Sequence, residues 1–305
     1  IMQFNITKDF IEEVQSLIEA SNSKQLEHIL EELHFADIAE IIEELNLGQA
    51  VFIVKLLDSE KTSEALMELD EDQRDRILNE LSPKEIAEEL EEMDTDDAAD
   101  ILNDLPDNIA QKVINEIEDE QHAEDIVDLL RFEENSAGGL MAKELVRVNE
   151  NWTVTGCVSE MRAQAKNVTR VHSIYVVDNN NKLKGRLSLK DLLTNKESTP
   201  IKDVYIPKVD FVTVNTPGEE VSRIMRKYDL EAIPVVDELE RLVGRITIDD
   251  IVDFITEEAE KDYQLASGIS QDVEANDSIW ELTRARLPWL VLGLLGGVGA
   301  AAIMG

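Results

Sequence analysis

The apolar positions of the first 135 residues keep a regular beat. Take His34, Asn46, Asp58, Asp70, Ser82, Asp94, Pro106 and Glu118 as markers twelve residues apart. Eight residues past them stand Ile42, Val54, Leu66, Leu78, Leu90, Leu102, Ile114 and Ile126. Eleven past them stand Leu45, Leu57, Leu69, Leu81, Met93, Leu105, Ile117 and Leu129. All are apolar, and a pair three residues apart marks one face of a helix. A twelve-residue period leaves about two helical turns and a short corner. Ser82-Pro83 and Asp94-Thr95-Asp96 carry helix-start residues at two of those corners. The pattern predicts a superhelix of short helices, each burying its stripe against its neighbours.

The periodicity changes after a break at 136–140, SAGGL. SIYVVDNNNKLKGRLSLKDLL (173–193) and AIPVVDELERLVGRITIDDIV (232–252) align without gaps at an offset of 59, with eight identities in 21. Each reads as an apolar strand ending in Asp, a polar turn, and a second strand opening at Gly-Arg. Ser or Thr then stands three residues before Asp, a helix-start signature. Amphipathic helices upstream, around 154–163 and 219–228, make each copy a β-α-β-β-α unit. The second copy runs into an acidic helix, and residues 287–305 are nineteen uncharged positions. A bilayer span needs about 20 apolar residues. Gly293 and Gly297 form a GxxxG, Trp289 stands where an interfacial aromatic would, and Arg284 and Arg286 precede the run. The expectation is a truncated first membrane span with everything upstream in the cytoplasm.

Charge divides the chain. The formal net charge is -37, and residues 1–135 hold 40 Asp and Glu against 9 Lys and Arg, leaving 26 against 20 in the rest. The acidic part repels nucleic acid and anionic lipid and attracts cations. Most of its carboxylates read as solvated helix faces. The single cysteine, Cys157, permits no disulfide framework. The four histidines lack zinc spacing. A P-loop lysine or a nucleophile with a paired base is missing, so no enzyme is expected.

Four acids cluster at Asp94, Asp96, Asp97 and Asp100. A calcium loop of the EF-hand type counted from Asp94 would need Gly and an acid where Ala99 and Leu105 stand. Asp96 and Asp100 are instead i, i+4, where like charges cost about a few tenths of a kcal/mol unless a cation lies between them. An N-cap acid with a solvated neighbour remains the competing reading. Asp249, Asp250, Asp253, Glu257, Glu258, Glu260 and Asp262 share one helix with Lys261 as its one basic residue from 249 to 262. Asp250 suits a helix-start box, worth about 1 kcal/mol. Mg²⁺ suits the surplus, because it keeps several waters and bridges carboxylates from different segments.

The tandem copies resemble CBS domains, which pair head to tail and often bind adenine nucleotides. The order of EEMDTDDAADIL, the break EENSAGGLM, the CBS pair, the acidic helix and TRARLPWL resembles the MgtE family of Mg²⁺ channels over nearly the whole chain. The resemblance implies an α superhelical N domain (1–135), CBS domains at 136–198 and 199–255, an acidic linker or plug helix (256–283) and the start of transmembrane helix 1 (284–305). It implies Mg²⁺ ligands at Asp96, Asp100 and Glu64 on the helical domain, and at Asp250, Asp253 and Asp229 on the second CBS domain. Linker-helix ligands fall on Glu258 and Asp262, with Glu219. Lys261 and Pro217 stand where the family pattern has acids.

ATP is implied at the CBS pair, with Asp191 accepting from ribose hydroxyls, Lys190 meeting phosphate, and Ser188 beside them. Ordinary capping by Ser188 and Asp191 is the alternative, and Ser173 and Leu230 occupy positions where stacking aromatics would help. The implied assembly is a homodimer through the CBS domains, in a multi-pass cell-membrane protein whose pore lies beyond Gly305. The expected function is cytosolic Mg²⁺ sensing that closes the pore. A rival is an adenine-nucleotide sensor whose acidic solenoid docks a basic protein. A metal-dependent phosphohydrolase is disfavoured, since its acids would sit on helices of different domains without a base.

Overall fold

The computed structural model describes residues 6–165, 168, 171, 173–266 and the positions 283, 284, 287 and 291. Short helices fill the first part: α1 Lys8–Glu19, α2 Ser23–Glu31, α3 Phe35–Glu43, α4 Leu47–Val54 and α5 Ser59–Met67. They continue as α6 Glu71–Leu78, α7 Pro83–Leu90, α8 Thr95–Asp104, α9 Asp107–Glu116 and α10 Glu120–Leu129. Seven of the eight twelve-residue markers are helix N-caps, from His34 through Pro106. The eighth cap is Asp119 rather than Glu118, because its shorter carboxylate reaches the backbone N–H groups of both Gln121 and His122. Asn46 with Gln49, and Ser82 with Glu85, form reciprocal capping boxes.

Of the sixteen periodic apolar positions all are buried but Ile114, which is half-buried. A buried leucine contributes about 1.5–3 kcal/mol, more than the ~1 kcal/mol of a cap, so the stripe holds the superhelix and the caps set its corners. At four corners the last apolar residue turns its N–H back to the first: Leu45 to Ile42, Leu69 to Leu66, Leu81 to Leu78 and Met93 to Leu90. That three-residue closure ends the helix and frees the chain to reverse.

Helices pack on their second neighbours: α3 on α5, α5 on α7, α7 on α9, α4 on α6 and α8 on α10. One superhelical turn is therefore two helices. Polar ties join successive turns: Lys55 to Glu85 at 2.6 Å, Gln73 Nε2 to the Ile42 carbonyl at 3.1 Å, and Arg74 to Asp104 at 3.4 Å. Buried Glu89 accepts from the Thr62 hydroxyl at 2.7 Å. Burial pushes its carboxyl up to about 7, against the Thr62 hydrogen bond and with help from Glu88, Asp58 and Glu92.

The duplicated part builds two three-stranded sheets. The first copy is β1 Val146–Asn149, α11 Val154–Gln164, β2 Ile174–Val177, β3 Leu183–Leu187 and α12 Leu189–Thr194. The second is β4 Val212–Thr213, α13 Gly218–Tyr228, β5 Ala232–Val236, β6 Leu242–Thr247 and α14 Ile248–Ala266. Strand order is β1-β2-β3, with β1 parallel and β3 antiparallel to β2, and β4-β5-β6, with β4 parallel to β5. Val146, Val148, Val154, Cys157, Ile174 and Leu187 lie in the first copy's core.

The copies exchange their lead-in segments. Ala137 and Gly138 donate to the carbonyls of Thr216 and Val214, and Ile201 and Lys202 donate to those of Trp152 and Glu150. Ala142 pairs both ways with Arg245, and Ile206 pairs both ways with Arg186. These pairings explain the Gly-Arg in each copy. A Cβ on Gly185 would lie 2.2 Å from the Ile206 carbonyl oxygen, and one on Gly244 would lie 2.8 Å from that of Ala142. The symmetry extends to the turns, where Asp178 accepts from the N–H of Asn180 and Lys182, and Asp237 from those of Leu239 and Arg241.

The described residues up to 217, with 232–246, form one compact unit, and 218–231 with 247–266 form another, in which α13 packs on α14. The partition thus cuts through the second copy rather than between copies. Helix α14 runs unbroken across residue 255, where the sequence suggests a change from CBS domain to linker, and reaches Ala266. Residues 267–282 lie outside the described residues, as does the expected membrane run except for Arg284, Leu287 and Val291. Among the described residues no helix is long and apolar enough to cross a membrane.

Two predictions follow from the packing. An acid whose folded pKa lies above its unfolded 4.5 contributes stability that is lost as pH rises through about 7. Glu89→Gln is therefore expected to raise unfolding stability by about 1–3 kcal/mol at pH 8 and by little at pH 4, in urea titrations at both pH values. Gly244→Ala should destabilise by about 1–3 kcal/mol, read as a lower urea midpoint at unchanged slope.

Candidate functional site

The lead-in strap 142–144 has a second edge. Lys143 donates its backbone N–H to Thr95 Oγ1 at 2.9 Å, and that hydroxyl donates to Glu144 Oε2 at 2.9 Å. The Thr95 backbone N–H reaches the same carboxylate oxygen at 3.2 Å. Thr95 is the first residue of α8, so Glu144 takes up an orphan donor of that helix from outside it. Asp94, the N-cap, makes no side-chain cap bond. Its carboxylate instead receives Arg245 Nη2 at 2.8 Å, while Arg245 Nε donates to the Glu144 carbonyl at 2.5 Å.

His122 closes the group from α10. Its Nε2 lies 2.9 Å from the Leu90 carbonyl, which can only accept, so Nε2 carries the proton. Nδ1 then faces Glu144 Oε1 at 3.9 Å. Burial first, and Asp94 second, raise the Glu144 carboxyl above the ordinary glutamate value. Glu64 on α5 is raised by burial, then by Asp94 and Glu68, with His34 opposing. At the corner where α8 begins, Asp94 thus acts on both Glu64 and Glu144, and Arg245 binds the Asp94 carboxylate.

The residues singled out in the sequence fall as follows. Asp96 is buried in the first turn of α8, its Oδ1 accepting from the Asp97 N–H at 3.1 Å, and Asp100 is exposed one turn later. Asp250 accepts from the Thr247 N–H at 2.7 Å, the helix-start box expected of it. Asp253, one turn on, is held above the ordinary aspartate value by desolvation and then by Asp249. Asp229 is exposed at a left-handed position (φ 52°) just past α13, where the Leu230 N–H returns to the Met225 carbonyl. Glu219 is exposed in the first turn of α13.

Glu258 is half-buried, with Lys261 Nζ 4.0 Å away and 3.9 Å from Glu257. The lysine that departs from the family pattern therefore sits where it offsets two carboxylates. Asp262 lies on α14, and its side chain is outside the described residues. Among the described residues no three carboxylate, histidine or cysteine groups gather closely enough to hold a metal by themselves.

At the nucleotide candidates, Ser188 Oγ and its N–H both donate to Asp191 Oδ2, at 2.6 and 3.1 Å. Those bonds hold the Asp191 carboxyl below its ordinary value. Capping is thus what Ser188 and Asp191 do within the chain, and Lys190 is exposed beside them.

The MgtE intracellular N domain model matches residues 33–135, and the CBS domain model matches twice, at 137–197 and 201–257. A crystal structure of the cytosolic domain of the Mg²⁺ channel MgtE in complex with ATP superposes with a TM-score of 0.75 at 34% identity, over 80% of this chain and 99% of that one. This chain belongs to the MgtE family. The soluble part of a magnesium transporter gives a TM-score of 0.73 at 29% identity, over 82% of this chain and 98% of that one.

The magnesium transporter MgtE of Thermus thermophilus is 38% identical over 182 residues, 58% of this chain and 40% of its own length. That of Enterococcus faecalis is 35% identical over 184 residues, 60% and 40% respectively. The chain spans about 40% of the length of these curated MgtE relatives.

Membership in the MgtE family does not by itself link Thr95, His122, Glu144 and Arg245; in the sequence Thr95 stands only at a helix start, His122 only among four scattered histidines and Arg245 only in a repeated Gly-Arg. Arg245 had a signal, the Gly-Arg shared with Gly185-Arg186. The links among the others had none, since those partners lie 22 to 49 residues away. Replacing Thr95 by Val keeps the shape and strands the Lys143 N–H and the Glu144 carboxylate. The expected cost is about 1–3 kcal/mol in urea unfolding, with Thr95→Ser restoring most of it.

Proposed function

We propose that this chain is the cytosolic Mg²⁺-sensing region of a homodimeric Mg²⁺ channel or transporter of the cell membrane. The observation that carries this reading is carboxyl crowding on the candidate ligands themselves. Glu64 is raised by burial and then by Asp94 and Glu68, and Asp253, whose side chain is exposed, by desolvation and then by Asp249. The donors are hard oxygens, the ligand type that Mg²⁺ takes. Asp96, Asp100 and Glu64 supply ligands on the superhelix, Asp250, Asp253 and Asp229 on the second CBS repeat, and Glu258, Asp262 and Glu219 on the linker side. Bound ions favour a closed arrangement that shuts the pore, and their loss lets the carboxylates repel one another. Moving such an equilibrium from 1:99 to 99:1 takes about 5.5 kcal/mol of differential binding, within reach of several weak sites acting together.

Exposed apolar positions recur in register between the copies. Leu189 and Leu193 on α12 are exposed, as are their equivalents at the 59-residue offset, Ile248 and Val252 on α14. These stripes support dimerisation through the CBS repeats. Residues 287–305 are assigned to the first membrane span, with the pore domain following. The relative whose structure holds ATP supports nucleotide binding, and Ser188, Lys190 and Asp191 are the residues we propose for it. A pure adenine-nucleotide sensor whose acidic superhelix docks a protein is the second reading, resting on that same relative.

Small-angle scattering under Mg²⁺ titration at fixed ionic strength decides between them. The radius of gyration should fall cooperatively with Mg²⁺ and not with K⁺. Asp250→Asn with Asp253→Asn should move the midpoint upward. Because the Glu64 and Asp253 carboxyls are raised, protons compete earlier than at ordinary carboxylates, so the midpoint should also rise as pH is lowered. A response to ATP alone, with none to Mg²⁺, establishes the second reading.

A further inference from the structure

Arg186 and Arg245 occupy the same place in the two copies, 59 residues apart. Their main chains do the same thing, each pairing both ways with the lead-in segment of the other copy, at Ile206 and Ala142. Their side chains do not. Arg186 is exposed, whereas Arg245 is 6% exposed and gives Nη2 to Asp94 and Nε to the Glu144 carbonyl. What differs between the two places is the superhelix, because both partners of Arg245 bind or cap the first turn of α8.

A guanidinium in the interior is costly unless its donors are met, and losing one partner leaves an uncompensated charge. Guanidinium stays charged at any physiological pH and cannot leave as a dissolved ion does. A buried pair is also poorly screened by salt. The Asp94 carboxylate and the Glu144 backbone carbonyl are therefore held by a cation that is part of the chain.

We propose that Arg245 is a resident cation that holds the start of α8 on the second CBS repeat when no divalent ion is bound. It acts as a positioning residue: through Asp94 and Glu144 it keeps the turn carrying Asp96 and Asp100 in place, and so sets how much Mg²⁺ the sensor needs. The inference rests on the sensor reading for its Mg²⁺ consequence, and on the ion pair alone for its metal-free one.

The test uses the 305-residue chain in detergent, labelled for energy transfer through Glu80→Cys and Lys196→Cys, both exposed sites, with Cys157 buried and silent. Excess unlabelled chain keeps a single labelled copy in any dimer. In Mg²⁺-free buffer the parent should show a fraction of high-transfer molecules, which added Mg²⁺ then enlarges to a plateau. Arg245→Gln and Asp94→Asn should each lower it, and their combination should lower it no further. Arg245→Lys, which keeps the charge, should recover part. The Mg²⁺ midpoint should rise about three- to tenfold in Arg245→Gln with the plateau unchanged, as expected when one buried ion pair is lost.

Asp94→Asn guards against misfolding, since Asn is as good an N-cap and no cap bond is lost. Metal-free transfer equal to the parent in both single variants overturns the proposal. A parent that ignores Mg²⁺ removes the sensor reading instead, and the metal-free comparison still decides on Arg245.

Discussion

A peptide three residues long, from Ala142 to Glu144, is hydrogen-bonded along both edges, and much of the architecture hangs on it. One edge pairs with Arg245 on β6, and the other receives the first residue of α8. A backbone segment used on both sides has no freedom to slide, since a shift of one residue would break bonds on each side and leave buried polar groups unpaired. The acidic superhelix and the CBS strands thus meet at a short strap, paired through its backbone on one side and tied through Thr95, Glu144 and the Arg245–Asp94 pair on the other. Gly244 is part of the same constraint, as it lets β6 come close enough for the pairing.

Charge within the superhelix follows from packing rather than from number. Most of its acids lie on exposed faces where water screens them, and for these the beat of apolar residues settles the fold without their help. The exceptions are the acids that inter-turn packing removes from water. Glu89 and Glu64 have raised carboxyls for that reason first, and because of neighbouring acids second. Glu85 goes the other way, down to about 2, because Lys55 and the Ser82 cap both hydrogen-bond its ionised form. Two carboxylates four residues apart on one helix are thus pushed in opposite directions by their surroundings, down to about 2 and up to about 7.

The twelve-residue beat and the 59-residue duplication were readable because each is local in origin. A helix of eight to ten residues with an N-cap and a buried pair can be recognised from its own residues, and so can a Thr247–Asp250 box. The Asp94 carboxylate was not, because its sequence neighbours advertise a cap while its partner lies 151 residues downstream. His122 and Glu144 were invisible for the same reason. Lys261 was legible as the one basic residue among the acids of α14, and its partners Glu257 and Glu258 lie only four and three residues back. Reach in sequence, more than chemical type, separates what could be read from what could not.

The exchanged lead-in segments bear on how a duplicated protein can be divided. Each sheet is finished by a piece of chain that numbering assigns to the other copy, 201–206 for the first and 137–142 for the second. A copy excised at its repeat boundary would lose its own closing segment and keep one with nothing to close. An unclosed strand edge is an open template for pairing with a neighbouring chain. The two copies are therefore obligate complements, and a gene carrying one alone would encode a strand-swapping oligomer rather than half a domain pair.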